Sequence, residues 1–347
     1  MLDERKLKVL YAIINSYILS GEPISSRTIS KIYNLGVSSA TIRNEMSDLE
    51  DLGFLNKPHT SAGRVPSDRA YRLYVDSILK LDNSNIDNNL KNKIKKTLIE
   101  ESKEMDQLLQ NAAKILSKIT KYTALAISPQ LSKSKIKHIQ LIPIENNQIL
   151  LVLVNNSDIV KNTIFKVDST ISPGQLNIIS NYLTHKLRGV LFSEIPNEID
   201  FKEMYAYKEI LDKILPMLND SFDIMDSIDL YSEGITQLLN FPEYKDVDKA
   251  KSIISFIENK DLVLDVLLED EIMEGIKIII GNENIYEPIK DSSIITASYS
   301  VNGKNIGKIG VIGPTRMDYL RLINILKIFS LNLTEIINFY SGNWNIA

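Results

Sequence analysis

Between Ser38 and Asn44 the chain gathers side chains that can read a nucleic acid. An arginine such as Arg43 can bond guanine bidentately, and an asparagine such as Asn44 can bond adenine. The hydroxyls of Ser38, Ser39 and Thr41 can meet bases or phosphates, and the Thr41 methyl can touch a thymine. A second group follows in Lys57-Pro58-His59-Thr60-Ser61-Ala62-Gly63-Arg64-Val65-Pro66. Lys57 and Arg64 bring positive charge, and His59 adds one when protonated. Thr60, Ser61 and the Gly63 N–H are of the kind that binds phosphate. Arg69 and Arg72 come next, so that basic residues outnumber acidic ones four to one between 57 and 72. A solvated loop usually carries mixed charge.

These groups need elements that hold them outward. Leu7, Leu10, Ile14, Tyr17 and Ile18 recur at helical spacing, which predicts a helix over 3–19, stopped by Gly21 and Pro23. Ser25 or Ser26 caps a short second helix to Tyr33, with Ile29 and Ile32 inward. Asn34-Leu35-Gly36 turns the chain, and Ser38-Ser39 cap a third helix. Ile42, Met46, Leu49 and Leu52 form its apolar face, and Gly53 ends it. Helix, short turn, helix is the helix-turn-helix pattern, whose second helix reads bases with its N-terminal residues. Any capped surface helix shows similar residues, so this pattern alone leaves both readings open. Phe54-Leu55 starts a strand, and a second strand after the prolyl loop makes a wing. Ser67 caps a following helix with Arg69 and Arg72 exposed and Tyr71, Tyr74, Val75 and Ile78 packed.

Other chemistries find little support. The 347 residues hold no cysteine, which removes disulfides, iron–sulfur clusters, cysteine-ligated zinc and thiol nucleophiles. His59, His138 and His185 are too far apart for metal-ligand spacing. Gly307-x-x-Gly310-x-x-Gly313 is misspaced for a dinucleotide fingerprint, although Gly313 at a helix start could hold an anion. Ser132-Lys133-Ser134-Lys135 lacks companion motifs, and Asp265, Glu269, Asp270, Glu271 and Glu274 read as a solvated helix end. No enzyme, cofactor or metal is expected. Net charge is −4, which excludes a wholly basic coat, yet residues 1–80 carry +2 and the remainder −6. No apolar run reaches membrane-spanning length, and the acidic start lacks signal-peptide character, so the cytoplasm is the expected location.

Ser39-Ala40-Thr41-Ile42-Arg43-Asn44-Glu45-Met46-Ser47-Asp48-Leu49-Glu50, with Pro58-His59-Thr60-Ser61-Ala62-Gly63-Arg64-Val65-Pro66, resembles the HrcA family of heat-inducible transcription repressors. Gly307-Lys308-Ile309-Gly310-Val311-Ile312-Gly313-Pro314-Thr315-Arg316-Met317-Asp318-Tyr319 matches the same family far downstream. The resemblance covers essentially the whole chain and is looser in the middle third. It implies an α+β protein: an N-terminal winged helix-turn-helix, a GAF-like α/β domain, and a dimerizing α+β domain inserted in the latter. It also implies a homodimer on an inverted-repeat operator of chaperone genes, with activity maintained by the chaperonin.

The remaining pattern suits that order. Residues 1–82 form the DNA-binding domain and 83–129 a connector helix and the start of the GAF-like domain. The insert takes 130–220, and 221–347 complete the GAF-like domain. An apolar seam predicts one helix over 86–121, about 54 Å long if unbroken, with Ser84 and Asp87 as a capping box. Strands are expected at 123–128, 136–144, 148–155 and 159–167, with Leu150–Val154 central in a sheet. Helices near 173–188 and 201–219 follow, then a strand at 227–231 and helices near 234–240 and 247–268. Strands at 276–280, 294–299 and 308–312 precede a last helix from Arg316, capped by Thr315 with Asp318. Asn302-Gly303 predicts a hairpin turn. Two alternatives stay open: an effector-responsive regulator whose GAF-like domain binds a metabolite, and a winged helix that docks protein.

Overall fold

A computed structural model describes residues 2–58, 63–80, 86–129, 135–156, 160–168, 171–191, 194, 207, 228–268, 275–301 and 303–340. The chain is an α+β protein. Its first unit holds helices α1 (Glu4–Ser20), α2 (Ser26–Ile32) and α3 (Ser39–Asp51). Strands β1 (Leu55–Asn56) and β2 (Val65–Pro66) pair antiparallel, and α4 (Asp68–Lys80) follows. Ser25, Ser38 and Ser67 cap α2, α3 and α4 as the sequence predicts, each accepting a backbone N–H of the first turn, and Asp3 does the same for α1. Ile32 and Leu52 depart from expectation, being 62% and 47% exposed rather than inward. Ile32 is the last residue of α2 and Leu52 lies just beyond α3, at helix ends that the described residues leave open.

The predicted 86–121 helix is two, α5 (Asn88–Glu101) and α6 (Met105–Thr120). The Asn111 amide donates to the Glu101 carbonyl at 2.8 Å and to Ser102 Oγ at 3.2 Å. Ten residues of straight helix would span about 15 Å, so the chain folds back at Ser102–Glu104. Asp87 caps α5; Ser84 lies outside the described residues.

Five antiparallel strands form the main sheet, in the order β7-β3-β10-β9-β8. They are β3 (Thr123–Ile127), β7 (Leu230–Glu233), β8 (Ile276–Ile280), β9 (Ser292–Val301) and β10 (Lys304–Pro314). Val301 pairs with Lys304, as a two-residue turn requires, though Asn302 lies outside the described residues. One face packs on α6 and on α10 (Tyr319–Tyr340) through Ala124, Ala126, Ile295, Tyr299, Ile309 and Val311. That core runs without interruption into Val9, Leu10, Ile13 and Tyr71 of the first unit. The opposite face is filled by α8 (Val247–Glu258) and α9 (Lys260–Leu268) with Leu125, Ile127, Ile253, Phe256, Ile294 and Ile312. The helix expected over 247–268 thus breaks at Asn259, and Asp318 caps α10 without Thr315.

Between β3 and β7 in sequence lies a second sheet, β4 (Ile136–Ile144), β5 (Gln148–Asn155) and β6 (Val160–Lys166), with β5 central. Helix α7 (Pro173–Leu187) covers one face, and Ile139, Leu141, Leu151, Leu153, Leu176 and Leu183 make a separate core. The helix expected at 201–219 lies outside the described residues. Where the chain leaves and re-enters the main sheet, the Ser128 N–H donates to the Asp229 carbonyl at 2.8 Å. The Asp229 N–H in turn donates to Ser128 Oγ at 2.7 Å.

Candidate nucleic-acid interface

Helix α3 carries the candidate readers. Ser38 Oγ accepts the Thr41 N–H at 3.1 Å, which fixes the start of the helix. Ile42, Met46 and Leu49 are buried beneath it and leave Arg43 and Asn44 exposed in its first half. Thr41 is half-buried, and its hydroxyl sits 3.0 Å from Ser38 Oγ. Ser39 is also half-buried, with Ser26 Oγ 3.3 Å away, and ties α2 to α3. Glu45, an acidic residue of the same helix, is buried against two cations. Arg5 Nε lies 3.1 Å and Lys6 Nζ 2.9 Å from its carboxylate. Lys6 also reaches Asp48 at 3.1 Å, and these acceptors raise its pKa above the ordinary lysine value.

The strand pair is anchored on its inner side. Ile24 and Arg64 exchange backbone hydrogen bonds at 2.9 and 2.8 Å. Gly63 lies so close to this bridge that a Cβ would stand 2.4 Å from the Ile24 carbonyl oxygen. Gly63 is therefore required by close packing, whatever its N–H meets. The Arg64 guanidinium bonds Glu50 at 2.6 Å and is only 20% exposed, so it ties the strand pair to α3. Lys57 stands exposed at the end of β1. His59, Thr60 and Ser61 lie outside the described residues.

Arg69 is exposed, with its guanidinium 4.5 Å over the Phe54 ring and Nη1 donating to the Leu52 carbonyl at 2.9 Å. The expectation that Arg72 is exposed is corrected. It is clamped against the main sheet, with Nε donating to Glu283 at 2.7 Å and Nη2 to the Ile278 carbonyl at 2.7 Å. The reason is tertiary: α4 faces β8, which supplies the Ile278 carbonyl, and the turn after β8 supplies Glu283. Arg43, Asn44, Lys57 and Arg69 are thus each exposed, while Arg64 is tied to Glu50 of α3 and Arg72 to the main sheet.

Three further exposed groups went unread: Arg27 and Lys31 on α2 and Ser47 on α3. The signal was present. Ser47 stands one helical turn from Arg43, and the Ser25 cap with buried Ile29 turns Arg27 and Lys31 outward. The first helix of such a pair crosses the DNA backbone.

The downstream glycine series is a strand feature. Gly307, Gly310 and Gly313 all lie in β10, and Gly313 makes room for Tyr122 and Met317 rather than opening a helix. Of the acidic cluster, Asp265 accepts the Tyr286 hydroxyl at 3.1 Å, and the others lie outside the described residues, as do Ser132 to Ser134. Among the described residues no group of His, Asp and Glu has metal-binding geometry, and no helix is long and apolar enough to cross a membrane.

Residues 106–323 match the family model described as HrcA protein C terminal domain. A Ruminiclostridium cellulolyticum protein named heat-inducible transcription repressor HrcA is 46% identical over 94% of this chain and 95% of its own. A Thermoanaerobacter sp. protein of the same name is 42% identical over 97% of both chains. A crystal structure of a protein described only as hypothetical has a TM-score of 0.66 and 24% identity, covering 97% of this chain and 99% of its own, a likeness of fold. Both relatives extend through the candidate readers and the sheet behind them, and the chain belongs to the HrcA family.

Proposed function

We propose that this chain represses heat-shock genes as a cytoplasmic homodimer on an inverted-repeat operator upstream of chaperone operons. Residues 1–82 act as a winged helix-turn-helix, with α3 reading bases and the β1–β2 pair as the wing. The main sheet with its helices is the GAF-like domain, and the segment from 130 to 220 is an inserted dimerizing domain. One observation carries the reading: Arg43 and Asn44 stand exposed in the first half of a capped helix whose other face is locked into the core. That is where a recognition helix contacts base edges. The name heat-inducible transcription repressor, borne by relatives across nearly the full length, supplies the regulatory context. A two-fold dimer suits an inverted repeat, since each subunit takes one half-site.

The chaperonin is the proposed maintaining partner. Gel-shift of the full-length protein on its own chaperone promoter, with and without chaperonin and ATP, tests both parts. The expected result is a salt-sensitive, sequence-selective complex, with more active protein when chaperonin is present. Binding indifferent to salt would instead favour a protein-docking module, because DNA binding releases counterions. The metabolite-sensor alternative draws no support from the main sheet. The face beneath α8 and α9 is filled by apolar side chains, and the buried Lys308 ammonium there donates to the Leu267 carbonyl at 2.6 Å.

A further inference from the structure

The first unit is bolted to the main sheet at two places, and neither contact is explained by base reading. At one, Arg72 of α4 holds Glu283 through two nitrogens and reaches the Ile278 carbonyl. Beside it the Asp68 carboxylate accepts from the Asn282 N–H at 2.9 Å and from its side-chain amide at 2.8 Å. Gly281 fits this contact: its φ is +52°, and a Cβ would stand 2.3 Å from the Asp68 carboxylate. At the other, Arg316 holds Glu243 through two nitrogens and donates to the Ile18 carbonyl at 3.3 Å near the end of α1. The Arg316 side chain is only 11% exposed. Between the two clamps the Tyr71 ring packs against the Tyr319 ring, centroids 5.8 Å apart, and both are buried. Arg316 and Tyr319 belong to the downstream motif that matches the family, for which base reading offers no role.

Covalently joined domains move relative to one another unless their interface is large and apolar. Here one continuous apolar core crosses the boundary, and bidentate arginine–carboxylate pairs add a fixed direction to it. We propose that the Arg72 and Arg316 clamps hold the reading helix at one angle on the main sheet, and so set the half-site separation that a dimer accepts. The proposal rests on the dimeric, operator-binding reading above. Two linked readers gain affinity only when geometry lets both engage. A rigid mount makes that gain strongly dependent on spacing, and a loose mount blunts it.

Fluorescence anisotropy tests this with full-length protein and an inverted repeat selected from random DNA by the wild-type chain. The comparison series changes the spacer by about 1, 2 and 5 bp, half a turn at most, and includes a single half-site. The wild type is expected to lose roughly tenfold or more at the half-turn change. Arg72→Gln combined with Arg316→Gln is expected to bind the selected spacing several-fold more weakly and to shrink the half-turn penalty to about threefold, with single half-site affinity unchanged. Because the chain holds no cysteine, Asp68→Cys with Asn282→Cys in the same background gives a second, reversible readout. Oxidation should restore the narrow spacing profile and reduction should broaden it, even if the arginine variant alone folds poorly. A wild-type spacing profile in the arginine variant, no change on oxidation, or tighter binding to the selected spacing would overturn the proposal. A wild type that treats paired and single half-sites alike would overturn the dimeric reading itself, and this inference with it.

Discussion

On the proposed reading, Arg43 and Asn44 ask something different of DNA than Lys57 does. The first two, exposed in the first half of α3, would meet base edges, and the third, exposed after β1, would meet phosphates. Arg43→Ala or Asn44→Ala is therefore expected to lower the ratio of operator to scrambled-DNA affinity, by about 1–3 kcal/mol for a lost bidentate contact. Lys57→Ala should weaken both DNAs alike and flatten the salt slope by about one ion. Titrations of both DNAs over a salt series separate the cases, and an unchanged ratio for Arg43→Ala would remove it from the readers. Gly63 makes a demand of another kind. A methyl there meets the Ile24 carbonyl, so Gly63→Ala is expected to cost on the order of 2 kcal/mol of stability or to push the β1–β2 pair off the segment joining α1 and α2. Thermal unfolding with hydrogen exchange at Ile24 and Arg64 would show which.

Helix α5 meets α10 through Lys91 and Lys95, whose ammonium groups grip Glu335 at 2.5 and 2.7 Å, and through the Asn332 amide on the Lys91 carbonyl. The two lysines hold the Glu335 pKa below its ordinary 4.5. A carboxyl with a depressed pKa in the folded state stabilises above its unfolded pKa and loses that contribution as pH falls through the folded one. The group is 38% exposed, so solvent screens it and the effect stays below about 1 kcal/mol. Glu335→Gln should melt slightly below wild type at neutral pH and level with it in acid. A gap that persists in acid would assign the loss to packing. The helix pair itself shows where sequence reading ran out. The seam of threes and fours runs across Ser102 to Glu104 with no glycine or proline to stop it, and Glu101 alone interrupted it. What turns the chain is the later Asn111 bonding back to Glu101. By contrast, the caps at Ser25, Ser38 and Ser67, the central place of Leu150–Val154 and most strands of the main sheet were legible, because short-range patterns determine them; the strand expected at 227–231 instead runs Leu230–Glu233. Arg72 was legible as a basic helix residue, but its partner Glu283 lies in a loop that only folding brings near.

The main sheet closes late in synthesis. Strand β3 cannot complete its pairing until β10 arrives, since Ala126 faces Ile309, and such distant pairing is slow and leaves apolar strands open to aggregation. Refolding from denaturant is expected to be poor alone and to recover operator binding when chaperonin and ATP are added. Full spontaneous recovery, unaffected by chaperonin, would point to direct melting of the DNA-binding unit as the heat response. The pair of hydrogen bonds between Ser128 and Asp229 has a separate consequence. From the main sheet's side, everything between those residues is a loop whose ends already touch, so its length and content are free variables. Replacing 130–227 by a two-residue turn should leave the rest folded, as a monomer that melts cooperatively and binds single half-sites. Sedimentation would report the state. The junction is then a socket: other self-associating modules inserted there would make repressors of chosen symmetry and valence from the same reader.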